Sequence, residues 1–342
     1  EYIFGDVYMS ASLLFGNGFN RVFNVANNSV SWDDLLAEIK GFNHFESKDL
    51  PNTLTYERIV IEGGEKNISL SEEHTKNLIA DKFSLQGTNA LYAKIIDLGL
   101  NNYLTTNYDL AFELAIQSPS VFENNSEELY SIRRKKEYNI DERTASIWHV
   151  HGDINNPKSI MLGLDHYCGS IGKIDAYIKG TYTYSIAGEN KRVDGISQKI
   201  KNNSFDGVSW VELFFKEDIH IVGLSLDYSE TDLWWILARR ARMQKNGISI
   251  RNKIFFHCGS SDCPQKIGTL KSLNVVVIQY DAACGYESMY RQIIANIDSI
   301  ECQSRSRHSA TIISEPQVSD FSSADHILSA KKAVESPEEF MG

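Results

Sequence analysis

The chain has 342 residues, of which 42% are hydrophobic, 23% are charged and 11% are aromatic. This composition is typical of a globular protein and excludes a disordered or collagen-like chain. The 45 acidic and 34 basic residues give a net charge of −11. An acidic surface repels phosphate backbones, so we expect no direct nucleic-acid binding. No apolar run reaches the about 18 residues needed to cross a bilayer, so we expect no membrane association.

The five cysteines are scattered along the chain and none forms a CxxC pair. Such a set predicts free thiols in a reducing compartment, and it disfavours a zinc site built from four cysteines. The opening segment, EYIFGDVYMS, has neither the basic nor the apolar region of a signal peptide. We therefore expect a soluble, cytoplasmic protein.

Short apolar runs, most of them rich in β-branched residues, recur between polar or glycine-containing turns. Such runs predict strands that are buried on both faces of a sheet. The predicted strands are 10–15, 102–106, 146–150, 159–163, 219–224, 253–258 and 274–280. Helical patterns lie between them, at 32–39, 91–98, 109–116, 229–244 and 286–300. Alternating strands and helices predict an α/β fold with a doubly wound, mostly parallel sheet.

Two of these helices follow a Ser-x-x-Asp signal, which is typical of helix N-termini. The signals are Ser31 with Asp34 and Ser229 with Asp232. We predict helical insertions at about 20–90 and 165–215, the second forming a mostly helical lobe. Beyond about residue 303 the sequence is serine-rich and aperiodic. We therefore assign residues 1–300 to one domain and 301–342 to a tail or docking segment, with a short helical pattern in HILSAKKAV.

The first candidate motif is LLFGNGFNR, at residues 13–21. A buried strand runs into Gly16-Asn17-Gly18, where two glycines permit close approach of a ligand, and the amides of a following helix would face a pyrophosphate. Arg21 stands where the usual dinucleotide fingerprint has its third glycine. Taken alone, the motif is equally consistent with a plain glycine turn.

The second candidate motif is YLTTNYDLAFE, at residues 103–113. It places Thr106, Asn107 and Asp109 at the carboxyl end of a parallel strand, where open α/β sheets bind ligands. The alternative is that Thr106 or Asn107 caps the next helix and that Asp109 complements its dipole.

The third candidate motif is IWHVHGD, at residues 147–153. His149 and His151 alternate with apolar residues, so we expect both to lie on one face of a strand. His151 precedes a glycine at the strand end and is the better candidate for a general base, whereas His149 fits a hydrogen-bonded structural histidine. A third ligand at fixed spacing is missing, so we predict no metal.

The fourth candidate motif is IHIVGLSLDYSETD, at residues 219–232. Its strand ends in Gly223-Leu224-Ser225 and a helix follows from about Glu230, which forms another turn compatible with phosphate or ribose. Each of the four motifs has a structural explanation of its own. Together they favour one ligand site at the carboxyl edge of the sheet.

The ordered set GNGFN, TTNYD, HVHGD and VGLSLDYSETDLWW resembles the SIR2-like proteins of bacterial anti-phage defence, which are distant relatives of the sirtuin deacylases. The resemblance covers residues 11 to about 298. It implies a Rossmann-like, NAD-binding domain with a helical insertion, and an enzyme that hydrolyses NAD to nicotinamide and ADP-ribose. It also implies a homo-oligomer or a regulatory partner, such as a HerA-type ATPase or another nucleotide-handling protein.

Carried over residue by residue, the resemblance implies catalytic roles for Asn107, His151 and Asp109. Asn107 would hold a ribose hydroxyl or the attacking water, and His151 would accept a proton. Asp109 would orient the site or stabilise positive charge. The residues implied in NAD binding are Gly16, Asn17, Gly18, Asn20, Thr106, Gly223, Ser225 and, by a looser match beside adenine, Asp281.

Three other functions stay open at this point. A sensor of NAD or ADP-ribose would use the same residues without cleaving the ligand. An NAD-dependent deacylase is disfavoured because the two CxxC pairs of the sirtuin zinc ribbon are absent. A nuclease is disfavoured by the acidic balance of the chain and by the lack of a dense carboxylate cluster.

Overall fold

A computed structural model of the chain describes residues 10–23, 32–40, 50–66, 71–125 and 129–314. The strands are β1 (Ala11–Phe15), β2 (Asn102–Thr105), β3 (Phe122–Asn124), β4 (Lys135–Ile140), β5 (Arg143–His149), β6 (Thr183–Ile186), β7 (Glu189–Arg192), β8 (Asp218–Val222), β9 (Ile254–Gly259) and β10 (Val275–Tyr280). The α-helices are α1 (Gly18–Arg21), α2 (Trp32–Lys40), α3 (Asn52–Lys66), α4 (Glu72–Phe83), α5 (Ala90–Ile96), α6 (Ala111–Ile116), α7 (Leu164–Lys179), α8 (Ile196–Asn202), α9 (Leu213–Lys216), α10 (Thr231–Lys245), α11 (Pro264–Ser272) and α12 (Tyr286–Ser314). Two short 3-10 helices cover Pro157–Ser159 and Trp210–Glu212.

Eight strands form one sheet in the order β10-β9-β8-β1-β2-β5-β4-β3. The six strands from β10 to β5 are parallel, and β4 and β3 add an antiparallel edge. Strands β6 and β7 form a separate hairpin. This arrangement confirms the predicted α/β, Rossmann-like fold with a mostly parallel sheet.

The sheet is buried on both faces because its central strands carry apolar side chains in both directions. In β1, Leu14 packs into one core, which contains Leu233 of α10 and is called here the α10 core. Leu13 and Phe15 pack into the opposite core, which contains Phe112 of α6 and is called the α6 core. All five residues of β1 are buried. This two-sided burial explains why the central strands are readable as apolar runs.

The register of the central strands brings their carboxyl ends to one edge. Phe15 pairs with Thr105 on one side and with Val222 on the other, and Thr105 pairs with His149. The residues that follow these four strands therefore emerge side by side. The chain order also reverses next to β1, because β2 and β5 lie on one side of it and β8 to β10 on the other. Open α/β sheets bind ligands at such a reversal.

Helices α2, α3 and α4 form a third apolar cluster that packs against the loops following β2 and β5. Ile59 and Ile79 of this cluster meet Tyr108, Ile160 and Leu162. These helices lie within the range predicted as the first insertion. In the range predicted as the second insertion, the long helix α7 is followed by the β6–β7 hairpin, so this segment is not helical throughout.

Three secondary-structure predictions were wrong. Residues 159–163 form no strand, because Ile160 and Leu162 are buried in the third cluster rather than in the sheet. Strands β3 and β4 were missed because their sequences, FEN and KKEYNI, are largely polar. Helix α12 continues to Ser314, so the predicted tail starts inside it. Ser31 and the HILSAKKAV segment lie outside the described residues.

Within the described residues, no helix is both long enough and apolar enough to cross a bilayer.

A buried polar chain attaches α12 to three neighbouring strands. Nε2 of His220 lies 3.1 Å from Oε1 of Glu301, and its Nδ1 lies 3.0 Å from Nε2 of His257. Nδ1 of His257 lies 2.9 Å from the Tyr280 hydroxyl, to which Asn296 donates at 2.7 Å. With Glu301 ionised and both histidines neutral, each donor in this row of hydrogen-bonded side chains meets an acceptor. These hydrogen bonds fix α12, and the first turns of that helix line the cavity described below.

The polar chain predicts acid sensitivity of the fold. Burial is the main cause that lowers the pKa of His257 from 6.5 to about 3, and a proton on His220 would repel a second one on His257. The folded protein therefore binds fewer protons than the unfolded chain between these values. The contribution of His257 to the free energy of unfolding should fall by up to about 1.4 kcal/mol per pH unit as the pH drops below about 6.5.

Urea unfolding at several pH values between 7 and 5 measures this effect. His257→Gln should flatten the pH dependence relative to the unmodified protein, because glutamine does not titrate. His74→Gln, at an exposed histidine, is the matched control and should leave the dependence unchanged. An identical pH dependence in His257→Gln and the unmodified protein would contradict the assignment.

Candidate active site

A cavity of about 530 Å³ opens at the carboxyl edge of the sheet. Its volume lies within the range of about 300–1,000 Å³ that is usual for small-molecule sites. All four sequence motifs contribute to its wall. The predicted residues that line it are Asn17, Gly18, Thr106, Asn107, Asp109, His151, Gly223 and Ser225.

Three predicted residues do not line this cavity. Gly16 lies behind the wall, where an added Cβ would be 2.8 Å from a methyl carbon of Leu224. Asn20 is fully buried beneath the wall. Asp281 accepts a hydrogen bond from the backbone N–H of Ala283 at 2.9 Å. The proposed contacts of these residues with NAD stay predictions.

The first and fourth motifs meet through their glycines. The backbone N–H of Gly18 donates to the carbonyl oxygen of Gly223 at 2.8 Å. An added Cβ at Gly18 would lie 2.7 Å from Cα of Gly223 and 2.3 Å from the Tyr290 hydroxyl oxygen. The N–H of Gly18 therefore makes its hydrogen bond within the protein rather than to a ligand. The glycine is needed for close backbone approach.

Asn20 connects the first motif to the second. Its Nδ2 donates to Oδ2 of Asp109 and to Oδ1 of Asn17, both at 3.1 Å, and its Oδ1 accepts from the Tyr92 hydroxyl at 2.8 Å. Oδ1 of Asp109 accepts the N–H of Ala111 at 2.9 Å, so Asp109 also serves the start of α6. Burial raises the pKa of Asp109 to about 6. A buried acid with such a pKa marks a candidate functional residue.

His149 is a hydrogen-bonded structural histidine, as predicted. Its Nδ1 lies 3.1 Å from the carbonyl oxygen of Asn107, and its Nε2 lies 2.6 Å from Oε1 of Glu113. Burial opposes protonation of His149, but the Glu113 carboxylate outweighs it and raises the pKa above its ordinary value. The backbone of Asn107 is thereby held from two sides, since its N–H also donates to Oγ1 of Thr105 at 3.0 Å.

The side chain of Asn107 is buried at the cavity wall. Its Nδ2 makes no hydrogen bond of good geometry within the described residues, although it interacts with the nearby Tyr92 hydroxyl and opposes the rise in the pKa of Tyr92 that burial causes. A buried amide without an acceptor is costly. Because an amide nitrogen carries two N–H groups, Asn107 retains a donor for a ligand at the position where the motif predicts contact.

His151 is paired with a carboxylate that the sequence did not reveal. Its Nε2 lies 3.3 Å and 3.2 Å from the two oxygens of Asp232 on α10. Burial alone would lower the pKa of His151, but Asp232 outweighs it and raises the pKa above its ordinary value. A proton on Nε2 that is donated to Asp232 leaves Nδ1 as the nitrogen that can accept a proton from a ligand.

The prediction that both histidines share one strand face was wrong. Strand β5 ends at His149, and residues 150 and 151 form a turn. His149 consequently reaches Glu113 on α6, whereas His151 reaches Asp232 on α10, across the opposite core.

The Ser229–Asp232 capping prediction was also wrong. Glu230 is the N-cap of α10 and makes no side-chain capping bond. Asp232 accepts instead from the Ser170 hydroxyl at 3.1 Å and from the N–H of Leu233 at 2.8 Å, in addition to its contact with His151. Asp232 therefore lies in the first turn of α10 and bonds an N–H there, but it forms no capping pair with Ser229.

Glu230 is a second site residue that the sequence did not reveal. It lines the cavity, is 9% exposed, and its Oε2 has no hydrogen-bond partner within the described residues. Burial raises its pKa to about 7, although His151 opposes this rise, and Asp232 and Asp227 add to it. The sequence did contain a signal for it, because Glu230 follows the turn of the fourth motif, at the edge of the sheet where ligands bind.

In the described part of the chain, no group of three or more His, Cys, Asp or Glu residues is arranged to hold a metal ion.

A doubly wound α/β domain with a cavity at the reversal of its sheet has the architecture in which many α/β proteins bind nucleotides. Residues 101–193 match the family model described as the SIR2-like domain, which supports assignment of the chain to the SIR2-like family. The matched range contains Asn107, Asp109 and His151. SIR2-like domains use NAD as a substrate, so the assignment implies NAD-dependent enzymatic activity. A search of curated proteins gave no match.

Proposed function

We propose that the chain is an NAD+ hydrolase that cleaves the bond between nicotinamide and ribose. The observation that carries this proposal is the buried His151–Asp232 pair, whose histidine lines the same cavity as Asn107 in a SIR2-like domain. Nicotinamide is a cationic leaving group in NAD+, so it needs no acid to depart. The protein has to orient the ribose, stabilise positive charge on it and activate water.

The reaction balances without a co-reactant. The bond between ribose C1′ and the ring nitrogen breaks, and its electron pair neutralises the nicotinamide ring. Water forms the new bond to C1′, and its proton passes to Nδ1 of His151. Asp232 stabilises the resulting imidazolium. The products are nicotinamide, ADP-ribose and a proton.

The neighbours of His151 fit this chemistry. Asn107 would hold a ribose hydroxyl or the attacking water through its unpaired amide. Asp109, fixed by Asn20, would place negative charge near the developing positive charge on the ribose. At the glycine turn, the cavity is lined by Arg21, which suits the pyrophosphate.

Incubation of the purified protein with NAD+ tests the proposal, with nicotinamide and ADP-ribose quantified by chromatography. Asn107→Ala should lower the rate about 10²-fold, which is the usual cost of removing one positioned donor. Asn101→Ala is the matched control, because Asn101 is exposed just before the other end of the same strand. It should leave the rate unchanged.

The possible results separate the functions. Equal cleavage by Asn107→Ala and the unmodified protein would contradict the assignment of Asn107. Binding of NAD+ without release of nicotinamide would favour a sensor. Release that begins only after addition of a lysate from phage-infected cells would support the proposed role in anti-phage defence and the dependence on a regulatory partner.

A further inference from the structure

Glu230 is a buried acid that the hydrolytic mechanism does not use. It lines the cavity together with Asn107 and His151, and one of its carboxylate oxygens meets no donor within the described residues. A buried carboxylate oxygen without a partner is costly, and a buried acid in a cleft is a candidate functional residue. A ligand that carries positive charge would satisfy Glu230.

Charge is distributed unevenly around this cavity. Glu230 lines the cavity and acts on His151, which is paired with Asp232. Asp109 is bonded to Asn20 of the first motif, and Asp262 also lines the cavity, where it acts on the Tyr290 hydroxyl together with Arg21. Arg21 lines the cavity at the glycine turn. The nicotinamide ring of NAD+ is cationic, which suits the carboxylates beside His151, and its pyrophosphate is anionic, which suits Arg21.

We propose that Glu230 is a specificity-determining residue that recognises the positive charge of the oxidised nicotinamide ring and thereby selects oxidised over reduced cofactor. The inference rests on the proposed function, because it places the ring beside His151. NADH has almost the same shape as NAD+, but its ring is neutral. Shape alone therefore cannot separate the two forms, whereas a buried carboxylate can.

The proposal implies that binding is linked to pH. Near neutral pH part of the Glu230 population is protonated, because burial raises its pKa to about 7. A bound cation favours the ionised form, so affinity for the cation should increase as the pH rises from 6 to 8. A neutral ring offers no such pairing.

Other titratable groups face the same region. Asp227 and Asp232 raise the pKa of Glu230, and His151 lowers it. The negative charge of Glu230 in turn raises the pKa of the buried hydroxyls of Tyr108 and Tyr167. His151 loses positive charge as the pH rises, which also favours a cation. The contribution of Glu230 must therefore be isolated by substitution.

Equilibrium titration with two probes tests the proposal. Carba-NAD, in which a methylene group replaces the ribose ring oxygen, keeps the cationic ring and resists cleavage, and NADH supplies the neutral ring. At pH 8 the unmodified protein should bind carba-NAD at least about 10-fold more tightly than NADH, a factor expected for one partly buried charge pair. Between pH 8 and pH 6 the preference should shrink several-fold.

Glu230→Gln should reduce the preference to within about 3-fold and remove most of its pH dependence, because glutamine has nearly the same shape but no charge. Glu230→Asp should retain part of the preference. Glu142→Gln, which removes one charge from an exposed turn, is the matched control and should behave like the unmodified protein.

The failures are distinguishable. The role of Glu230 would be overturned if Glu230→Gln preferred carba-NAD over NADH as strongly as the unmodified protein does. It would also be overturned if the unmodified protein bound both probes equally. Binding of neither probe by the unmodified protein would instead contradict the proposed function.

Discussion

Replacement of His151 with alanine is expected to lower the rate of nicotinamide release by about 10³-fold, within the range usual for loss of a general base. The imidazole is the group in the cavity that combines an oriented proton-accepting nitrogen with a carboxylate behind it. Alanine removes the base and leaves Asp232 without its histidine. The rate at saturating NAD+ measures the effect.

Two further variants make this expectation specific. Asp232→Asn keeps the imidazole but weakens its orientation and removes the charge that stabilises the imidazolium, so its rate should fall between those of His151→Ala and the unmodified protein. His74→Ala, at an exposed histidine, should match the unmodified protein. Wild-type turnover in folded His151→Ala would assign the base to another residue.

The parallel part of the sheet was predictable because each central strand is buried on both faces. The run ASLLF is buried at all five positions and the run DIHIV at four of its five, and both are bounded by polar or glycine-containing turns. The antiparallel edge was not predictable in this way, since β4 alternates buried positions with partly or fully exposed ones and has lysine and glutamate among them. Apolar character alone also cannot separate a strand from a buried loop, which explains the error at 159–163.

Those candidate residues that follow directly from a strand end were predictable because parallel strands in register deliver their loops to one edge. Asn107 and Gly223 are far apart in sequence, yet their strands both pair with β1. Their convergence follows from the fold class alone.

Contacts made by helices across the sheet were not predictable. The carboxylate that orients His151 lies 81 residues away, on a helix whose position depends on packing in the α10 core. From sequence, Asp232 had an adequate local explanation as part of a helix cap. The opposite directions of His149 and His151 depend on where β5 ends, which is decided by a turn rather than by alternation.

Replacement of Gly18 with valine is expected to abolish nicotinamide release and to lower the free energy of unfolding by about 2–3 kcal/mol, the upper part of the usual range for overpacking. A Cβ at this position would lie 2.7 Å from both Cα and the carbonyl oxygen of Gly223. Backbone atoms cannot rotate away as a side chain can. The two turns would have to separate, and their hydrogen bond at 2.8 Å would be lost.

Chemical unfolding and the nicotinamide assay measure the two effects. Gly268→Val is the matched control, because Gly268 is exposed on α11 and an added Cβ there meets no atom within 4 Å. Valine is slightly more favourable than glycine inside a helix, so this control should be neutral or weakly stabilising. Full stability and activity in Gly18→Val would show that the two turns can separate without harm. The contact between the first and fourth motifs would then not be what shapes the cavity, and the glycine would be needed at most for the approach of the ligand itself.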